Sequence, residues 1–214
     1  MQKFIPIFPL NIVAFPGEQI NLHIFEPRYQ QLINECNTEG KPFAIPVVND
    51  NRMLDYGTEM ELIKIHKKYP NGEMDIKLKG MHVIHILEIV KEVPEKLYSG
   101  AIVSVQQNIE DRHSRLFAEL EELTQLLFSL LDIKDDIYKP DFVLNSFKLG
   151  HYVGFDFLEE YELLRHPRET SRQKLIVEHI KKILPSVQQI AEIKEKAKLN
   201  GHFRMLNPPD GLKD

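Results

Sequence analysis

The residues of this chain that could do chemistry are nine histidines, a single cysteine, a Ser-x-Lys at Ser146 and Lys148, and a Gly-Lys at Gly40 and Lys41. Metal binding needs ligands that converge. The close histidine pair, His82 and His85, falls on a predicted strand, where an odd separation sends the two rings to opposite faces. With no His-Glu-x-x-His and no cysteine pair, neither a metal nor any other cofactor is expected. A phosphate-cradling loop needs an upstream glycine and a hydroxyl residue after its Gly-Lys, and here Glu35 and Pro42 hold those places. Ser146 and Lys148 diverge on a helix, so the lysine cannot reach the hydroxyl. Cys36 lies on an apolar helical stripe and reads as a buried thiol rather than a nucleophile. Gly150 and Gly154 have the spacing of a membrane packing motif, but among polar residues they predict a helix end or close local packing. Arg165-His166-Pro167-Arg168 reads as a solvated basic loop. No catalytic constellation emerges, and the chain is not expected to be an enzyme.

Composition narrows the class of partner. A chain of 214 residues with 43% hydrophobic content can bury a sizeable core, and disorder is not indicated. The net charge of −5 argues against nonspecific nucleic-acid binding, which draws on cationic contacts to phosphate. A lone cysteine fits a reducing compartment, and no apolar run is long enough to span a bilayer, so a cytoplasmic protein without a membrane partner is expected.

The first half has the patterning of strands. Pro6 and Pro9 in Phe4-Ile5-Pro6-Ile7-Phe8-Pro9-Leu10 lack ladder donors and suit an edge strand or the start of one. Phe15-Pro16-Gly17 reads as a turn. Pro27 opens a helix whose stripe, Tyr29, Leu32, Ile33 and Cys36, ends at Gly40. Phe43 to Val48 is a buried strand, Thr58 to Ile65 a strand with a bulge near Leu62, and Asn71-Gly72 the turn before alternating Met74, Ile76 and Leu78. Val83 to Val90 and Ala101 to Val105 bring the count to about six strands with one helix inserted early, which favours a small barrel. After Gln107 the period becomes helical. Leu116, Leu120, Leu123, Leu127 and Leu130 form one stripe, a helix covers 142–151, and Asp156-Phe157-Leu158-Glu159 is a capping box. A last helix starts near Thr170 and carries apolar residues from Leu175 to Ile193 before Asn200-Gly201 stops it, with Pro185 predicted to kink or divide it.

Pro6 to Leu10, Phe15-Pro16-Gly17 and Ile24-Phe25-Glu26-Pro27-Arg28-Tyr29 together resemble the start of the Lon substrate-binding domain family, found at the N-terminus of ATP-dependent Lon proteases and as a free-standing bacterial protein. The likeness continues through Gly40-Lys41-Pro42-Phe43, Gly57-Thr58 and the strand of Gly80, where Val83 replaces the arginine of many members. It implies an α+β fold: a PUA-like β pseudo-barrel over residues 1–107, a helical bundle over 108–206, and a flexible tail at 207–214. The motor and peptidase parts of Lon do not come with this domain. The resemblance implies noncatalytic binding of unfolded or extended polypeptides, as an adaptor or holding factor, beside a separate protease or without one.

Glu26, Arg28, Tyr29 and the neighbouring Phe25 are the candidate polypeptide-contacting residues. Two readings apply to them. Glu26 precedes a helix N-terminus, where a carboxylate can accept from free amides, and Arg28 can pair with it or with a nearby loop. Alternatively these charges and Phe25 flank a groove that grips extended chains through backbone hydrogen bonds and apolar pockets. The rival reading is an RNA-binding PUA-like module, which would need a contiguous Lys/Arg surface with exposed aromatics.

Overall fold

The computed structural model describes residues 2–133 and 145–203. Six strands come first, β1 (Gln2–Pro6), β2 (Gln19–Ile24), β3 (Phe43–Asn49), β4 (Arg52–Lys68), β5 (Met74–Val90) and β6 (Gly100–Val105), with helix α1 (Pro27–Glu39) between β2 and β3. Helices α2 (Ser114–Leu131), α3 (Ser146–Leu149), α4 (Phe157–Arg165) and α5 (Glu169–Phe203) follow. The sheet is antiparallel in the order β1-β6-β5-β4-β3, with β2 paired to the first half of β5. Beyond β1 the chain crosses to β3, where Phe8 N donates to Ala44 O at 2.8 Å and Val48 N to Leu10 O at 2.8 Å. Those bridges close the strands into the expected pseudo-barrel, filled by Ile5, Ile7, Ala44, Ile84, Ala101 and Val103. Pro6 ends β1 at the limit of the ladder path, where its missing donor costs nothing.

Local chemistry explains most boundaries. Pro27 stands in the first turn of α1, Gly40 ends it with φ of 64°, and Tyr29, Leu32, Ile33 and Cys36 are its buried residues. The β3–β4 connection is Asp50-Asn51, both at positive φ (48° and 61°), the geometry of a tight hairpin turn. Asn71-Gly72 turns β4 into β5, and the ladder slips between Leu62 and Lys64, where the bulge was expected. Asp156 and Glu159 form a reciprocal capping box at α4.

Four expectations need revision. The segments 74–78 and 83–90 are one 17-residue strand, because Gly80 lets β5 continue past a close neighbour instead of breaking it. The sixth strand is β2, whose alternation of Ile20, Leu22 and Ile24 with Gln19, Asn21 and His23 was the available signal. Helix α5 runs through Pro185 as one element to Phe203, past Asn200-Gly201, and Ile190 and Ile193 on its apolar stripe are exposed. Of the helix expected over 142–151 only Ser146–Leu149 is helical; residues 142–144, like the tail at 207–214, lie outside the described residues.

The barrel and the helices share a core. Val13, Phe15, Val47 and Val83 from the β-rich part pack with Leu120, Leu127, Phe147, Leu163 and Ile176 from the helices. Phe15 sits at the seam, its ring 5.7 Å from that of Phe147 and 4.7 Å from His151. A Cβ on Gly80 would fall 2.2 Å from the Phe15 carbonyl oxygen, and one on Gly150 would fall 2.3 Å from the Phe15 ring. Only glycine permits either approach.

Beside this apolar contact is a buried polar one. Arg172, 1% exposed, donates from Nε to Ser146 Oγ (2.7 Å), from Nη1 to the His166 carbonyl (2.8 Å), and from Nη2 to Asn108 Oδ1 and Glu169 Oε2 (both 2.8 Å). Glu169 is itself fully buried and also accepts from the Ser146 hydroxyl and Gln173. Replacing Phe15 by Ala is expected to lower unfolding stability by about 3–5 kcal/mol through lost burial and a cavity that the glycine backbones cannot fill. Arg172→Met leaves the Glu169 carboxylate buried without its cation and is expected to cost about 3–5 kcal/mol. Urea unfolding of each variant measures both.

Candidate functional site

Two surfaces have the geometry to hold another chain. The first is the β2 edge. β2 pairs with β5 on one side, and among the described residues no backbone ladder occupies its other side. At its end Phe25 is 61% exposed, beside the His23 ring at 6.5 Å, while Gln30 donates to the Phe25 carbonyl at 2.9 Å and fixes the turn into α1. His23 is held by Asp75 at 2.7 Å, and the Tyr69 hydroxyl donates to the same carboxylate at 2.8 Å.

The residues singled out from the sequence divide by depth. Phe25 is free at the surface, and Glu26 is the α1 N-cap, yet its side chain makes no capping hydrogen bond. It turns to Arg28 instead, with Nη2 to Oε2 at 2.6 Å and Nε to Oε2 at 2.9 Å. Arg28 also lies over the Tyr29 ring at 4.6 Å. Tyr29 is only 7% exposed, its ring 4.0 Å from Phe8, so it supports the turn from beneath.

The second surface carries three neighbouring cavities, two of them at the seam between the β-rich part and the helices. One, about 270 Å³, is walled by Gly40-Lys41-Pro42, Glu59 and His82. The next, about 290 Å³, shares Met81 and His82 with it and reaches Pro16 and Phe147. The third, about 190 Å³, continues from Pro16 and Phe147 to His151 and Tyr152. Three of the sequence words named above, Phe15-Pro16-Gly17, Gly40-Lys41-Pro42 and the strand following Gly80, therefore line neighbouring cavities that share walls. Sequence reading recognised these words but had no signal for their convergence, which depends on Gly17 N donating to Gly80 O (2.8 Å) and Gly80 N to Glu18 O (2.9 Å).

The side chains considered for chemistry are held in structural roles. Cys36 is buried, and burial pushes its thiol up to about 11. Ser146 is bound to Glu169 and Arg172. His85 stacks on Tyr56 at 4.7 Å while His82 stands opposite Glu59, and no group of metal-ligating side chains converges among the described residues. None of the described helices is long and apolar enough to cross a membrane. His151 joins the two parts by charge: its Nδ1 lies 2.8 Å from Glu160 and its Nε2 3.3 Å from Glu18.

A sequence model of the ATP-dependent protease La (LON) substrate-binding domain matches residues 5–199. The chain belongs to the Lon substrate-binding domain family. The Lon protease of Flavobacterium johnsoniae is 27% identical over 138 residues, which is 59% of this chain but 16% of that protein's length. Solved structures of the same fold include a Lon N-terminal domain protein from Xanthomonas campestris, 22% identical with a TM-score of 0.64 over 82% of this chain and 97% of that one. The N-terminal domain of a Mycobacterium avium complex Lon protease reaches a TM-score of 0.65 at 12% identity, over 84% of this chain and 98% of its own.

The position of His151 in this Lon-family fold gives a pH dependence with a definite sign. Hydrogen bonds to Glu160 and then Glu18 raise its pKa from 6.5 to about 9, so the imidazolium is favoured by folding. Its contribution is complete below pH 6.5 and is lost as pH rises through about 9. Thermal unfolding from pH 6 to 10 should show a decline over that window that His151→Asn removes.

Proposed function

We propose that this chain recognises extended polypeptide and transforms nothing. It serves as an adaptor or holding factor for unfolded proteins, alone or beside a separate protease. The observation that carries this reading is the open edge of β2 ending at exposed Phe25. A strand edge offers backbone donors and acceptors that any sequence can use, and an adjacent aromatic supplies an apolar anchor. Family membership supports the same reading, since the family is that of the substrate-binding domain of the ATP-dependent protease La (LON). The residues assigned to contact are Phe25 directly and Glu26, Arg28 and Tyr29 as the turn that presents it. The absence of catalysis is part of the proposal: Ser146 is buried and bound to Glu169 and Arg172, and Cys36 is a buried thiol.

One observation favours the RNA reading as a second possibility. Lys64 pairs across the ladder with Lys77, and Lys67 and Lys79 share that outer face, close to Tyr69 and His23. These four lysines share the face with Glu61, opposite Lys79, and Asp75, opposite Lys67, so the excess of positive charge there is two.

Fluorescence anisotropy with a labelled unfolded polypeptide, against a folded control and a single-stranded RNA, separates these. The polypeptide reading expects preference for the unfolded chain at physiological salt, weakened when the peptide backbone is N-methylated. Phe25→Ala should reduce affinity about tenfold, as loss of an exposed aromatic anchor does, with little change in stability because the ring is mostly in solvent. RNA binding that collapses steeply with salt, without polypeptide binding, would replace this reading by its rival.

A further inference from the structure

The open edge of β2 specifies more than a backbone. Gly80 N donates to Glu18 O at 2.9 Å, and continuing that register makes Ile20–Leu78, Leu22–Ile76 and Ile24–Met74 the hydrogen-bonded pairs of the β2–β5 ladder. The backbone N–H and C=O groups of Gln19, Asn21 and His23 therefore point away from β5, and none of them has a hydrogen-bond partner among the described residues. The pairs from Gln19 to Ile24 follow one another without a register shift. The far edge of the same ribbon, β4 beyond Met60, is interrupted between Leu62 and Lys64 and again between Ile65 and Lys67, an irregularity that keeps an edge from pairing. Of the two edges, β2 is the one formed to accept a strand.

In an antiparallel strand added there, the residue opposite Asn21 turns its side chain to the face of Gln19, Asn21 and His23, and its two neighbours turn theirs to the face of Ile20 and Leu22. The second of these faces is apolar, with Ile20 and Leu22 half-buried at the margin of the cluster that contains Met74, Ile76 and Leu78. The first is charged. Lys77 stands across from Asn21 on one side and directly across from Lys64 on the other, and neither lysine has an ion pair among the described residues. Like charges opposite one another in a ladder repel. The other charges of the face have counterparts: Lys79 is opposite Glu61, Lys67 is opposite Asp75, and His23 lies 2.7 Å from Asp75 and 3.3 Å from Glu73. The uncompensated charge is therefore the Lys64–Lys77 pair, with Lys77 one strand in from the edge and only the short, neutral Asn21 between. An acid on the incoming strand complements it. We propose that the β2 edge selects an extended segment in which apolar residues flank an acidic one, the carboxylate lying beside Asn21 toward Lys77 and the apolar side chains beside Ile20 and Leu22. The proposal rests on the polypeptide-binding reading and deepens it by naming the class of segment.

The test titrates the full chain with three labelled, end-blocked peptides of alternating valine and serine that differ only in glutamate, glutamine or lysine at the central serine position. Affinity should fall in that order by about threefold a step, the scale of one exposed charge pair, and the order should flatten in high salt. Lys77→Gln should make the glutamate and glutamine peptides equal. A peptide of the same composition with its valines grouped should bind about tenfold more weakly, the scale of one lost apolar contact. Asn21→Pro removes an outward donor but no hydrogen bond to β5, and should abolish binding of all three. If that variant fails to fold, NMR of the wild-type chain locates the peptide: amide shifts largest at Gln19, Asn21 and His23 support the proposal, and shifts largest elsewhere overturn it. Equal affinity of the three peptides, or preference for lysine, overturns it while polypeptide binding stands. Binding of the labelled unfolded polypeptide but of none of the three peptides has the same meaning. If no polypeptide binds at all, the polypeptide reading falls and this proposal with it. A single-stranded RNA that binds through Lys77 where the glutamate peptide does not gives the face to RNA and overturns the proposal.

Discussion

Phe15 has to accept close glycine backbone at two places, its carbonyl and its ring, and the rest of the molecule is arranged around that requirement. Gly80 brings β5 against its carbonyl and Gly150 brings the helical part against its ring. A shift of β5 by one residue would present Lys79 or Met81 where only a glycine fits. The turn Phe15-Pro16-Gly17 thus fixes the register between barrel and helices as firmly as a ladder fixes two strands. The seam cavities exist because of the same constraint. Pro16 follows a ring that is fully committed to the seam, so it lines two of the three cavities instead of filling them.

Apolar packing alone would tolerate several orientations of the helices on that ring. The guanidinium of Arg172 is more demanding, since its donors diverge in a rigid plane and each needs an acceptor once buried. Its acceptors come from the linker at Asn108, from α3 at Ser146, from the loop at His166 and from Glu169 on its own helix. The linker is tied again where Asp111 accepts from Thr170 N at 3.0 Å at the start of α5, a contact that lowers its carboxyl to about 2. Misdocking would strand several of these groups at once. The energetic argument therefore assigns attraction to Phe15 and direction to Arg172.

Legibility in the sequence followed the range of the interaction. Helix α1 could be read residue by residue, because Pro27, the four-residue stripe and Gly40 are local signals with local causes. The Asn71-Gly72 turn, the bulge after Leu62 and the Asp156 capping box were legible for the same reason. Pro185 does not divide α5, since its local cost is outweighed by the packing of Ile176, Val177 and Ile180 on the turns before it. Arg172, Glu169 and Glu59 looked like ordinary surface charges; nothing within a few residues of any of them reveals burial. The seam cavities were visible only as separate family words, because a contact between residues 15, 80 and 150 has no periodicity.

Where ionisation is most displaced, structure already accounts for it. Cys36 is raised by burial, Tyr98 is raised by burial and by its hydrogen bond to Glu35, and His151 is held protonated between carboxylates of the two parts. Asp111 is lowered while capping α5. A catalytic site would need a perturbed group that faces open space with a second group poised to share its proton. Among these groups Tyr98, Asp111 and His151 face hydrogen-bonding partners, and the Cys36 thiol is kept protonated by burial. What remains open is of another kind: a strand edge and an exposed ring. Each of these binds through hydrogen bonding or apolar contact, and neither can by itself make or break a bond. The strand edge and the exposed ring therefore support the recognition proposed above.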